Sequence, residues 1–192
     1  MKKFYTKIVF IAFLILSSTL SYAQYTASNL ETGLQNAALT KDGNGNVYTT
    51  RAKTGGGYEI AKYTNGSGTA TVIYSNVVGD GTDLPFGLAV ASNGDIYFSS
   101  DFNGSNGKIT RLNASSSYTA TVVQSGRYFT GLAFDKQDRL YALEYNEVAT
   151  KYTVVRYNSP STANPSNTTT SGTTIYNNIT SQTGVSLSLI HI

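Results

Sequence analysis

Three carboxylates, Glu31, Asp83 and Asp101, stand at the ends of apolar segments. At such a place a carboxylate can be turned into a channel mouth, where its oxygens would ligate a hard cation or move a proton. Exposed loop carboxylates are equally common as plain surface, so residue type alone gives none of them a role. Asp42-Gly43-Asn44-Gly45-Asn46 places oxygen-bearing side chains at alternate positions, as a calcium loop does. It lacks the glycine of the sixth position and has Lys53 where a bidentate Glu would close the shell, so it reads as a hairpin turn with extra residues. Thr54-Gly55-Gly56-Gly57-Tyr58-Glu59 is glycine-rich without the Lys-Ser/Thr ending or following helix of a phosphate loop, and reads as a connection.

Other chemistries are closed off by what the chain lacks. It has no cysteine, which removes disulfides, thiolate metal sites and a cysteine nucleophile. Its single histidine, His191, lies one residue from the end, leaving the body without an imidazole for a Ser-His-Asp triad or a zinc site.

The first twenty-three residues read as a secretory signal: Lys2, Lys3 and Lys7 precede the apolar run Ile8 to Leu16, and Ser21-Tyr22-Ala23 forms a small-x-small cleavage site. The run is too short to span a bilayer, which takes roughly 20 residues. Export to the periplasm, the cell surface or the medium is therefore expected, with no membrane insertion once the signal is removed. The whole chain has 14 basic and 11 acidic residues, and loss of the three signal lysines leaves 11 against 11. A neutral chain without a Lys/Arg cluster lacks the electrostatic footprint of a nucleic-acid binder.

Any functional side chain must be positioned by the elements that repeat through the body. A strand carrying Tyr recurs at Tyr48, Tyr97 and Tyr141, spaced 49 and 44 residues. A strand with a basic residue recurs at Lys62, Arg111 and Arg156, and Thr-rich strands begin near Thr69, Thr119 and Thr173. Before each Tyr strand lies an apolar piece: Ala37 to Leu39, Gly87 to Val90, Gly131 to Phe134. Each unit thus holds four short segments rich in Val, Ile, Tyr and Thr, separated by Asn/Gly/Ser/Asp turns, and the chain is expected to be all-β. Four-strand units of about 45 residues predict β-propeller blades, whose faces are covered only by neighbouring copies. A β-sandwich would not return the same markers in the same order.

The predicted blades span 30–82, 83–127 and 128–182, giving a β-propeller fragment of about three four-stranded antiparallel blades, with the Gly87 and Gly131 strands innermost. Gly184-Val185-Ser186-Leu187 aligns with Gly87-Leu88-Ala89-Val90, so 183–192 reads as the truncated start of a fourth. Three blades do not close a ring of ~4 to 8, so further blades or another chain are expected to cover the open end. Asn158 to Gly172 reads as a solvated insertion.

At Gly87-Leu88-Ala89-Val90, Asn93-Gly94-Asp95-Ile96-Tyr97 and Lys108-Ile109-Thr110-Arg111-Leu112, the chain resembles the NHL-repeat and gluconolactonase (senescence-marker) propellers, over roughly residues 30 to 182. Where such repeats carry Asp, the third unit has Glu144, the second has Asp101 one position later, and the first has Arg51. The lactonase-like members imply a divalent cation such as calcium, held by Glu, Asn and Asp, including the residue just before the glycine of an inner strand. The pre-glycine residues here are Phe86, Thr130 and Thr183, none a carboxylate, and Glu31-Thr32-Gly33 only faintly echoes an early Glu-Gly-Pro signature. With no catalytic, metal or cofactor residue identified, the expectation is a non-catalytic module that binds a ligand, glycan or protein. The candidate channel-mouth residues are Asp83, Phe86, Phe129, Thr130 and Thr183. The alternatives are a metal-dependent lactonase-like hydrolase and a structural surface repeat.

Overall fold

Alternation along the Tyr strands decides the architecture. In Ile96–Ser100, Ile96 and Phe98 pack into one apolar cluster and Tyr97 into another, so side chains on both faces of this strand are buried. Successive strand residues point to opposite faces, and a strand buried on both must lie in a sheet sandwiched between two others. This computed structural model describes residues 36–77, 85–100, 107–146, 150–157 and 172–180. The signal segment 1–23, most of the 158–172 insertion and the 183–192 segment lie outside the described residues.

Among the described residues, twelve strands form three four-stranded sheets, each an antiparallel meander in chain order. The first holds β1 (Asn36–Lys41), β2 (Val47–Ala52), β3 (Tyr58–Tyr63) and β4 (Thr71–Val77). The second holds β5 (Leu88–Val90), β6 (Ile96–Ser100), β7 (Lys108–Asn113) and β8 (Thr119–Ser125). The third holds β9 (Tyr128–Phe134), β10 (Leu140–Asn146), β11 (Lys151–Tyr157) and β12 (Thr173–Thr180). The chain is all-β, and these sheets are consecutive propeller blades. β1, β5 and β9 stand side by side, so the first strand of each blade is the inner one.

Two apolar clusters hold the blades together. Tyr48 and Ile60 of the first blade meet Leu88, Ile96, Phe98 and Leu112 of the second. On the second blade's other face, Tyr97, Ile109 and Val123 meet Leu132, Leu140, Ala142 and Val155 of the third. Full burial of one such aliphatic side chain contributes about 1.5–3 kcal/mol, which a single blade facing water would forgo. The recurring tyrosines divide accordingly: Tyr48 and Tyr97 pack between blades, while Tyr141 is only half-buried.

Close approach is built in at Gly87. A Cβ there would come 2.8 Å from Leu132 Cγ and 2.9 Å from Ser99 Oγ, so the second and third inner strands meet through a position that only glycine fills without displacement. The Gly87 N–H donates to Ser99 Oγ at 2.8 Å, and the Ser99 N–H donates to the Gly87 carbonyl at 2.9 Å.

Candidate functional site

The inner strands have two ends, and they differ chemically. At the entry end, the β9–β10 register slips between Leu143 and Glu144 and leaves Thr130 as an unpaired bulge residue. The extra residue changes the face on which Phe129 lies. Phe129 joins Leu132 in the cluster between the second and third blades and is 3% exposed, held by packing. Thr130 is half-buried, and its hydroxyl donates to the Leu143 carbonyl at 3.3 Å. Phe86, at the matching position of the second blade, is 39% exposed. Asp83 and Thr183 lie outside the described residues, as do Glu31 and Asp101.

Glu144 is also at this end, 4% exposed. It accepts the Tyr157 hydroxyl at 2.7 Å and an Arg127 N–H at 2.9 Å. Burial pushes its carboxyl above the usual range against the opposing pull of these two partners, and burial likewise raises the Tyr157 phenol. At the equivalent position of the first blade, Arg51 pairs instead with Glu59 at 2.7 Å.

A divalent cation at the entry end would require carboxylate or amide oxygens pointing into the mouth. Phe86 offers none, the Thr130 hydroxyl is directed at a carbonyl, and Glu144 is turned into an ion pair and a phenol hydrogen bond. These residues do not fit the cation that the lactonase-like resemblance implies. Among the described residues no group of three His, Cys, Asp or Glu side chains could hold a metal ion.

The exit end is formed by three hairpin turns of one design. Residues Asp42 and Asn46, Ala91 and Asp95, and Asp135 and Arg139 close three-residue loops, with N–H to carbonyl distances of 3.0, 2.9 and 3.2 Å. The last loop residue is left-handed in each: Gly45 at φ +83°, Gly94 at +87° and Asp138 at +55°. A type I turn followed by a left-handed residue is a preferred three-residue hairpin connection, and Asp is among the few non-glycine residues that tolerate it. The Asp42–Asn46 segment is thus the hairpin turn its composition implies.

The carboxylates at the bases of the turns are satisfied from within their own sheets. Asp42 Oδ1 accepts the N–H groups of Asn44 and Asn46, each at 2.9 Å, while Oδ2 accepts Asn46 Nδ2 at 2.6 Å and the Tyr48 hydroxyl at 3.1 Å. Asp135 repeats the scheme with the N–H groups of Gln137 and Arg139, the Arg139 guanidinium and the Tyr141 hydroxyl. Partial burial alone would raise both carboxyls, but these hydrogen bonds outweigh it and hold both below the usual range. The second turn has Ala91 at the corresponding place, and its carboxylate moves to Asp95, which accepts from Arg111, Asn93 and the Ala114 N–H. Tyr97, with no carboxylate at residue 91 to meet, packs edge-on against Phe134 at 5.1 Å, and burial pushes its phenol up to about 12.

Where the three turns converge they frame a half-open cavity of about 460 Å³, lined from all three blades. Val90, Ala91 and Phe134 supply apolar surface, Asn44, Ser92 and Asn93 neutral polar groups, and Lys41, Lys136, Asp42, Asp135 and Asp138 charges of both signs. Of the residues expected at a channel mouth, Phe86, Phe129 and Thr130 lie at the opposite end of the same inner strands. The signal that points here is the alignment of Asp42, Ala91 and Asp135 at the ends of the three inner strands.

No protein-family model and no curated protein matches the chain. Among solved structures it is similar to the crystal structure of regucalcin, a calcium-binding protein from Agrobacterium tumefaciens, with a TM-score of 0.45 and 15% identity. That match covers 69% of this chain and 44% of the other, so the chain spans less than half the length of the protein it resembles.

Proposed function

We propose that this chain is an exported β-propeller module that binds a ligand without chemistry, in the cavity framed by the three inner hairpin turns. The cavity carries the reading: its volume of about 460 Å³ falls within the ~300–1,000 Å³ usual for small-ligand sites, and it sets three apolar side chains, Val90, Ala91 and Phe134, beside a larger set of polar and charged ones. Export rests on the tripartite N-terminus. A glycan or a short segment of a partner protein matches the mixed lining.

A metal-dependent lactonase-like hydrolase is the second reading. It draws on the resemblance of the repeats and on the calcium-binding description of the structural neighbour. It needs oxygen ligands that Phe86, Thr130 and Glu144 do not offer, so the binding module is preferred.

The test uses the full chain on glycan and peptide arrays. Gly43 lines the cavity, its φ is not in the left-handed region, and nothing lies within 4 Å of a Cβ built there, so Gly43→Trp fills the space without straining the turn. Binding lost in Gly43→Trp and kept in Phe86→Ala, with both folds intact by circular dichroism, supports the proposal. The reverse pattern moves the site to the entry end. Lactone hydrolysis dependent on added calcium would replace the proposal with the second reading.

A further inference from the structure

The cavity lining contains charges of both signs, and a count of them points to no particular ligand. What decides is which groups still have unmet hydrogen-bonding capacity. An ionised carboxylate offers about four lone-pair sites. Asp42 has filled all four with donors of its own turn and strand. Asp135 has filled its sites in the same way and carries Arg139 as a paired cation at 2.6 Å. Asp138 accepts the backbone N–H and the hydroxyl of Ser92. The acceptors of Asp42 and Asp135 are thus committed inside the protein, and those of Asp138 are half committed to Ser92.

The donors are not. Lys41 ends the first inner strand and Lys136 opens the third turn, so the two ammonium groups belong to blades on either side of the second turn. Among the described residues, no hydrogen bond or ion pair engages either one. Each ammonium brings three donors, and none of the hydrogen bonds that Asp42, Asp135 and Asp138 accept comes from either lysine.

We infer that the cavity recognises a small oxyanion-bearing ligand, a carboxylate or phosphate group bridged by Lys41 and Lys136 with its uncharged part against Val90, Ala91 and Phe134. The inference rests on the proposed role of the cavity and specifies the chemical class that enters it. Charge-assisted N–H···O bonds from the two ammonium groups supply the directionality.

The experiment titrates the isotopically labelled full chain with citrate, with inorganic phosphate and with glycerol as a neutral control, following backbone amide resonances. Saturable shifts at Gly43, Gly94 and Asp138 with an anion but not with glycerol are expected. Lys41→Gln/Lys136→Gln should weaken the interaction roughly tenfold or more and flatten its salt dependence. Tighter binding of citrate identifies a carboxylate ligand and tighter binding of phosphate identifies a phosphoryl one. Absence of a saturable shift with either anion, or equal affinity in the double variant, overturns the inference. The two readings separate with an array-selected ligand: one lost in Gly43→Trp but unchanged in the double lysine variant leaves the cavity as the site and refutes the anion.

Discussion

Asp138 of the third blade accepts both the backbone N–H of Ser92, at 2.8 Å, and the Ser92 hydroxyl, joining two turns that lie 46 residues apart in the chain. Asp138 does this from a left-handed conformation that the other two turns give to glycine. The residue therefore serves two demands at once, and substitutions can separate them. Asp138→Gly keeps the turn and loses the link between blades. Asp138→Ala loses the link and also pays the steric penalty of a side chain at positive φ, about 1 kcal/mol or more. Urea denaturation is expected to rank stability as wild type, then Gly, then Ala, the reverse of the usual order for Gly and Ala. Ala equal to or above Gly would contradict the observed backbone.

Gly87→Ala is expected to destabilise the protein by about 1–3 kcal/mol, the range for forcing an added methyl group into a packed contact. Because the new Cβ would meet the Leu132 side chain at 2.8 Å, Leu132→Ala should offset part of that loss. A double-mutant cycle measures this directly, and strict additivity would show that the two inner strands do not meet as described.

Glu144 and Asp42 are expected to respond to pH in opposite directions. The folded-state pKa of Glu144 is raised, so its contribution to stability is present in full below the unfolded value of ~4.3 and is lost as pH rises through the folded value. Glu144→Gln should remove that part of the slope. Asp42 has a lowered folded-state pKa, so its contribution is present above the unfolded value of ~3.9 and is lost as pH falls through the folded value. Asp42→Asn should cost stability near neutrality, with the gap to wild type closing on acidification. Urea midpoints measured across the acid range check both signs.

Exported material should begin Gln24-Tyr25-Thr26-Ala27, read by N-terminal sequencing. Met1 retained in a cytosolic fraction would remove the basis for an extracellular role.

The blades were legible because their markers are local: the spacing of Tyr48, Tyr97 and Tyr141 translates directly into three β-meanders. The position of Phe129 was not, because a single bulge at Thr130 shifts the strand register and moves every earlier side chain to the other face. Periodicity locates strands but does not show an inserted residue. The exit-end cavity was hidden for another reason. Its walls come from turns about 45 residues apart, and Ala91 interrupts the pattern set by Asp42 and Asp135 by passing the carboxylate to Asp95. Whether Lys41 and Lys136 have partners depends on where those carboxylates turn, which spacing alone does not reveal.

Asp42, Asp95 and Asp135 each draw their donors from their own sheet. A hairpin tip of this kind arrives chemically complete. When such a unit is copied along a gene, the copy settles beside its parent mainly through apolar faces, because the carboxylates that hold its tip together need no partner elsewhere. Each copy is then free to drift in the residues that its tip displays, so variety of recognition can accumulate at one end of the inner strands without renegotiating the fold.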